Sequence, residues 1–298
     1  MRKYFILAAA ALAMVACSND ENENAVQNTD NVIRLTASVG NAAQTRAGYD
    51  VQSTAFVADR SINVECTPVG GSLASKVYTT AAASEGHNAL TITENPFYWP
   101  ANGANVTLKA YHPSTVASTT TSFSVLEDQS TDANYMDSDL MYSNEVTGTN
   151  TKPYTTQGFT FTHALTKIVV KLAPGAGMTA DDLAAATITL HAKKTATIEA
   201  GVVSAALGDV ATITMGTGSD NTNGIAAIIV PQTISAQDFI TVTSGNNSVT
   251  YQLAAEKVFA AGTVYTYTLT VSMTEINLQS TTITNWHPGD GDSGNVTI

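Results

Sequence analysis

The feature that most constrains this chain is an alternation of apolar with polar residues, at a period of two, that recurs from Val32 nearly to the end of the sequence. It appears as VIRLTASV at 32–39, KVYTT at 76–80, ALTIT at 89–93, NVTLKAY at 105–111 and ATITLH at 186–191. It continues as ATITM at 211–215, FITVTS at 239–244, SVTYQL at 248–253 and VYTYTLTVS at 264–272. A strand with one buried face requires this pattern, because successive side chains leave the backbone on opposite sides. The polar partner is most often threonine, whose branched Cβ suits a pleated surface. Turn formers separate the runs: Pro68 with Gly70-Gly71, Glu85-Gly86, Asn102-Gly103, Pro174-Gly175, Gly216 to Gly218, Gly245-Asn246 and Gly262. Short strands at such spacing predict an all-β chain built as β-sandwiches.

One stretch departs from the pattern. Thr179-Ala-Asp-Asp-Leu-Ala-Ala-Ala offers a capping threonine, acids in the first turn and helix formers after them, which predicts one short helix. The segment 128–157 is polar, rich in Asn, Thr and Asp, and reads as the separator of two strand-rich halves, 32–155 and 156–298.

The first residues read as an export signal. Arg2 and Lys3 make a positive start, Phe5 to Ala16 an apolar run too short to span a bilayer as a helix, and Cys17 follows at once. Met14-Val15-Ala16-Cys17 resembles a bacterial lipobox, in which the cysteine is acylated and becomes the first mature residue. A diacyl anchor supplies the two-chain attachment that one chain cannot. The residues after it, SNDENENAVQNTDN, have little to bury and read as a disordered acidic tether over 17–31. Acids directly after the lipid cysteine resemble the surface-export signal of Bacteroides-type lipoproteins, which implies the outer membrane and its external face.

Loss of 1–16 removes two of 13 basic residues and none of 25 acidic ones, leaving 11 − 25 = −14. Nucleic acid is excluded as a partner by that charge. With Cys17 lipidated only Cys66 remains, so no intrachain disulfide forms and stability must come from burial. Roughly 260 ordered residues suffice for two sandwich-sized cores.

No enzyme is expected. His87, His112, His163, His191 and His287 are scattered and adjoin no ligand at zinc spacing, so no metal or other cofactor is expected. Gly291-Asp292-Ser293-Gly294 has the letters of a serine-protease loop, but a triad is defined by geometry and a Gly-Asp turn explains the same string. Asp290 with Asp292, and Asp137 with Asp139, lack the remainder of a calcium loop.

The strand-flanking residues form an ordered set. Phe97-Tyr98-Trp99-Pro100, Lys109-Ala110-Tyr111-His112-Pro113, Asp139-Leu140-Met141-Tyr142 and Phe161-Thr162-His163-Ala164-Leu165 come first. Val230-Pro231-Gln232-Thr233, Ala261-Gly262-Thr263-Val264-Tyr265-Thr266-Tyr267 and Ile283-Thr284-Asn285-Trp286 follow. In sequence and order this resembles the fimbrillin (Mfa-like) family. The resemblance implies two tandem transthyretin-like β-sandwich domains and assembly into type V pili with other fimbrial subunits, whether copies of itself or tip and anchor proteins. Independently of it, Tyr98 and Trp99 are expected to fill a core, Tyr265 and Tyr267 to share a strand face, and His163 to be a hydrogen-bonded core residue.

Thr45-Arg46-Ala47 follows the alternating run Val32, Ile33, Leu35, Ala37 and Val39 in a polar loop. In the family an Arg-specific protease cuts at a matching place and frees the first strand, which marks Arg46 and Ala47 as the expected cleavage site. A sandwich that loses a strand exposes unpaired backbone and an apolar floor that another extended segment can fill. Two C-terminal stretches qualify as the donor, one with Ile276, Leu278 and Ile283, the other with Val296 and Ile298. The alternative reading is a lipid-anchored surface or fibre-tip adhesin that binds a glycan or host protein.

Overall fold

The computed structural model describes residues 31–40, 55–199, 201–216, 221, 224–286 and 294–296. Their chain is almost entirely β, in several sheets.

The first half forms an eight-stranded sheet from β1 (Leu35–Val39), β2 (Ser61–Pro68), β3 (Ala74–Thr80), β4 (Asn88–Thr91), β5 (Val106–His112), β7 (Met141–Ser143), β8 (Val146–Gly148) and β9 (Gln157–His163), in the order β2-β3-β4-β1-β9-β7-β5-β8. An additional ladder joins β2, at one end of that order, to β5, the strand next to the other end. One apolar cluster lies within it, from Ile33 and Leu35 through Ile62, Val64, Trp99, Val106 and Leu108 to Phe159 and Phe161. Membership of β9 carries this sheet past the expected boundary at residue 155.

The second half holds two sheets of five and four strands on its main paths. One has the order β13 (Ile225–Ile229), β10 (Thr166–Pro174), β18 (Thr263–Val271), β19 (Ile276–Asn285), β20 (Gly294–Val296). The other runs β12 (Val202–Thr214), β11 (Thr187–Glu199), β15 (Asp238–Ser244), β16 (Asn247–Gln252), with β6 (Ser122–Ser124) also paired to β11. A small ladder joins β14 (Gln232–Ile234) to β17 (Lys257–Phe259). The second apolar cluster lies here, and it also takes in Tyr111, Val116, Val125, Tyr135, Met136 and Leu140 from the first half.

The alternation translates into burial as the physics requires. In β9 Phe159, Phe161 and His163 are buried while Gly158 and Thr160 are exposed, and in β18 Tyr265, Tyr267, Leu269 and Val271 point inward between half-buried threonines. The central strand β10 and its neighbour β13 are covered on both faces, so they read as near-continuous apolar runs and show no alternation.

Two short helices are present among the described residues. In α2 (Ala180–Ala184) the Thr179 hydroxyl accepts from Asp182 N at 3.2 Å, and Asp182 returns a bond to Thr179 N at 2.9 Å, closing a capping box. The other, α1 (Asp132–Asp137), lies in the segment expected to be a polar separator. That expectation is corrected: Tyr135, Met136 and Leu140 are each at most 4% exposed, so the stretch is anchored in the second cluster. A further correction concerns Tyr98, which is 38% exposed while Trp99 beside it is at 1%. Adjacent residues on extended backbone face opposite sides, so both could not fill one core.

The two halves share a motif. In each, the first strand has one antiparallel and one parallel neighbour: β1 lies between β4 and β9, and β10 between β13 and β18.

Candidate functional site: the seat of the first strand and the C-terminal edge

Strand β1 is an interior strand. It pairs antiparallel with β4 from Leu35↔Leu90 to Ala37↔Asn88, and parallel with β9 from Leu35↔Gln157 to Val39↔Phe161. Bonds on either side extend the hold: Trp99 N donates to Asn31 O at 2.9 Å, Ile33 N to Phe97 O, Gln157 N to Arg34 O and Gly40 N to Phe161 O, each at 2.8 Å. Ile33, Leu35, Ala37 and Val39 are 1, 3, 0 and 3% exposed. Val32, half-buried, forms a bridge with Tyr98. The seat beneath them is aromatic and aliphatic, with Trp99 stacked on Tyr154 at 5.2 Å and Phe56 edge-on to Phe161 at 4.9 Å. Removing such a strand would leave hydrogen-bonding edges on β4 and β9 above an apolar floor.

Cys17, Arg46 and Ala47 lie outside the described residues. So do His287, Asp290, Asp292 and Ile298.

At the other end of the chain, Ile276, Leu278 and Ile283 sit in β19, half-buried against the second cluster and paired with β18 from Val271↔Ile276 to Thr263↔Asn285. The backbone of Val296 lies in β20, which shares three register positions with β19, Ile283↔Gly294 to Thr281↔Val296. The described residues of the two candidate donor stretches thus lie in the last two strands of the second sheet, a different sheet from the one that holds β1.

Between the β19 hairpin and the first sheet sits a cluster that the sequence marked only as separate landmarks. The rings of Trp286 and His163 stack 3.7 Å apart and 8° from parallel. His163 Nδ1 lies 2.9 Å from Asp139 Oδ1, both side chains wholly buried, and His112 Nδ1 lies 2.9 Å from the Asp139 carbonyl oxygen. The Lys167 ammonium stands 5.8 Å from the centre of the Trp286 ring. Trp286 N donates to Gly262 O at 2.6 Å and Gly262 N to Leu165 O at 2.7 Å. Gly262 does this at φ 62°, a left-handed backbone that glycine adopts without a Cβ clash. Long-range pairing of Asp139, His163 and Trp286 has no local sequence signal.

Two titrations follow from burial. The free Cys66 thiol is pushed up to about 11 by burial, opposed by the Lys76 charge. Burial likewise drives the His112 imidazole below its ordinary value, opposed by its bond to Asp139. Among the described residues no group of three or more His, Cys, Asp or Glu side chains could hold a metal ion.

The chain matches the fimbrillin-like family over residues 45–286. It is 30% identical over 316 aligned residues, covering 99% of this chain and all of the relative, to Fim1C, a candidate fimbrium subunit of Bacteroides uniformis. The fold is similar to crystal structures of two candidate cell adhesion proteins. One, from Bacteroides uniformis, has TM-score 0.62 and 24% identity, covering 87% of this chain and 100% of that one. The other, from Bacteroides ovatus, has TM-score 0.60 and 16% identity, covering 87% and 99%.

Proposed function

The chain belongs to the fimbrillin-like family, and from that premise we propose that it is a structural subunit of a cell-surface pilus, exported as a lipoprotein through Cys17, opened by cleavage after Arg46 and joined to its neighbours by donor-strand exchange. The observation that carries the reading is the position of β1. An interior strand over an apolar seat, with Arg46 following it in the sequence, is what a strand-replacement mechanism needs: its loss creates two unpaired edges and a groove that water fills poorly. The partners are other fimbrial subunits, and an Arg-specific protease is the trigger. The place of action is the cell-surface fimbrium, with the outer membrane as the anchor of the lipidated precursor.

A replacement strand of about eight residues would supply about six backbone bonds at about 1 kcal/mol each and about four buried side chains at about 1.5–3 kcal/mol each, roughly 10–18 kcal/mol before ordering costs. That is enough for very slow release. Of the two candidate donors we favour the stretch beyond Trp286, with Val296 and Ile298: β19 is paired with β18 from Ile276 to Asn285 and is followed by a buried tryptophan, whereas among the described residues β20 is paired with β19 at three positions. The repeated strand arrangement supports reading the two halves as tandem transthyretin-like sandwiches, the first ending with β9.

The test is Arg46→Ala. Wild-type material sheared from cells should run as heat-resistant ladders whose subunits start at Ala47, and the variant should remain an exported monomer starting at Cys17. Ladders formed by the variant would place the switch elsewhere.

A further inference from the structure

Where β2 begins, the exit of β5, the strand β6 and the end of α1 surround a cleft of about 490 Å³, separate from the β1 seat and from the C-terminal edge. Its charged groups form no ion pair with one another among the described residues, although the Ser124 hydroxyl on its wall is bonded to Thr195. Arg60 is half-buried, its Nε is buried without an acceptor, and it forms no ion pair among the described residues. The exposed carboxylates of Asp59 and Asp137 line the same cleft, and neither is hydrogen-bonded or ion-paired to another side chain among the described residues. Asp59 is held at φ 64° by its N–H donating to Thr80 O at 2.8 Å, which fixes the turn that carries it. Half-buried Phe123 and Leu126, 41% exposed, supply an apolar wall.

We propose that this cleft binds a neutral hexopyranose of a glycan chain. A guanidinium only donates hydrogen bonds and a carboxylate only accepts them, so a single partner that satisfies both must do both itself. Neighbouring hydroxyls of a sugar ring meet that demand. An anionic ligand would meet two carboxylates on a chain of net charge −12, and an ammonium, which only donates, would leave Arg60 without an acceptor. The apolar wall suits the C–H face of a pyranose, and the volume lies in the range of small-ligand clefts. This binding is independent of polymerisation, so a subunit could carry it whatever its place in a fibre.

Saturation-transfer-difference NMR on the mature chain tests it, with methyl α-D-mannopyranoside and methyl β-D-galactopyranoside as probes and N-acetylneuraminic acid as the anionic comparison. Transfer to at least one neutral glycoside is expected, with a dissociation constant on the order of 1 mM, and a roughly tenfold loss of affinity in both Arg60→Gln and Asp137→Asn. Asp137 is exposed, so its variant should melt with the wild type and keeps the test decisive if Arg60→Gln folds poorly. No transfer to either glycoside, an affinity left unchanged by Asp137→Asn, or transfer to N-acetylneuraminic acid alone would overturn the assignment. None of these outcomes bears on strand exchange at β1.

Discussion

Leu35→Ala probes whether β1 is a separately removable element. Leu35 is 3% exposed, faces Leu90 on β4 and belongs to the cluster with Trp99, Phe159 and Phe161. Truncating a buried leucine costs about 2–5 kcal/mol, the spread reflecting how far the cavity collapses. Because the leucine packs one strand onto its seat, the cost should fall on the docked strand alone, raising the population of the strand-out state roughly 30- to 4,000-fold at about 1.4 kcal/mol per decade. Hydrogen exchange reads this directly. The amides of Ile33 and Gly40, which donate to Phe97 O and Phe161 O, should lose protection by that factor while those of β10 and β18 keep theirs. Leu190→Ala, at a site 0% exposed in β11, is the control of equal chemistry and should loosen the second cluster and leave β1 in place. If Leu35→Ala instead speeds exchange evenly across both clusters, β1 does not leave by itself and the argument for strand replacement fails.

Trp286→Ala should cost about 3–5 kcal/mol, lowering the melting temperature by about 2–4 °C for each, and should free the β19 hairpin; an unchanged melting curve would mean that the stack on His163 holds nothing. At about pH 8 iodoacetamide should spare Cys66 in the folded chain and label it after denaturation, since a thiol titrating at about 11 is about one part in a thousand thiolate there; native labelling at the rate of a free cysteine would contradict the burial. His112 takes up its proton at lower pH when folded than its unfolded value of 6.5, so the unfolded chain binds more protons below that point. Its contribution to stability is therefore present above pH 6.5 and lost as the pH falls below it. His112→Gln should flatten the decline of the urea midpoint between about pH 7 and pH 5, and a slope equal to wild type would refute the assignment.

Strand content was legible from residue order because one-sided burial imposes alternation, as β1, β9 and β18 bear out. The helix after Thr179 was legible because a capping box is a local device. β10 and β13 escaped the same reading, since strands covered on both faces lose their polar half. So did α1, whose few apolar residues find their burial in a distant cluster.

By itself the order of residues determined the secondary-structure class and the net charge, because each depends on neighbours in the chain or on composition alone. Only the tertiary structure decided that β1 lies between β4 and β9, that Asp139, His163 and Trp286 form one cluster, and that Arg60 and Asp137 share a cleft. Every strand presents the same donors and acceptors along its edges. Which edges meet is therefore settled by how the apolar faces pack, and that is a property of the whole fold.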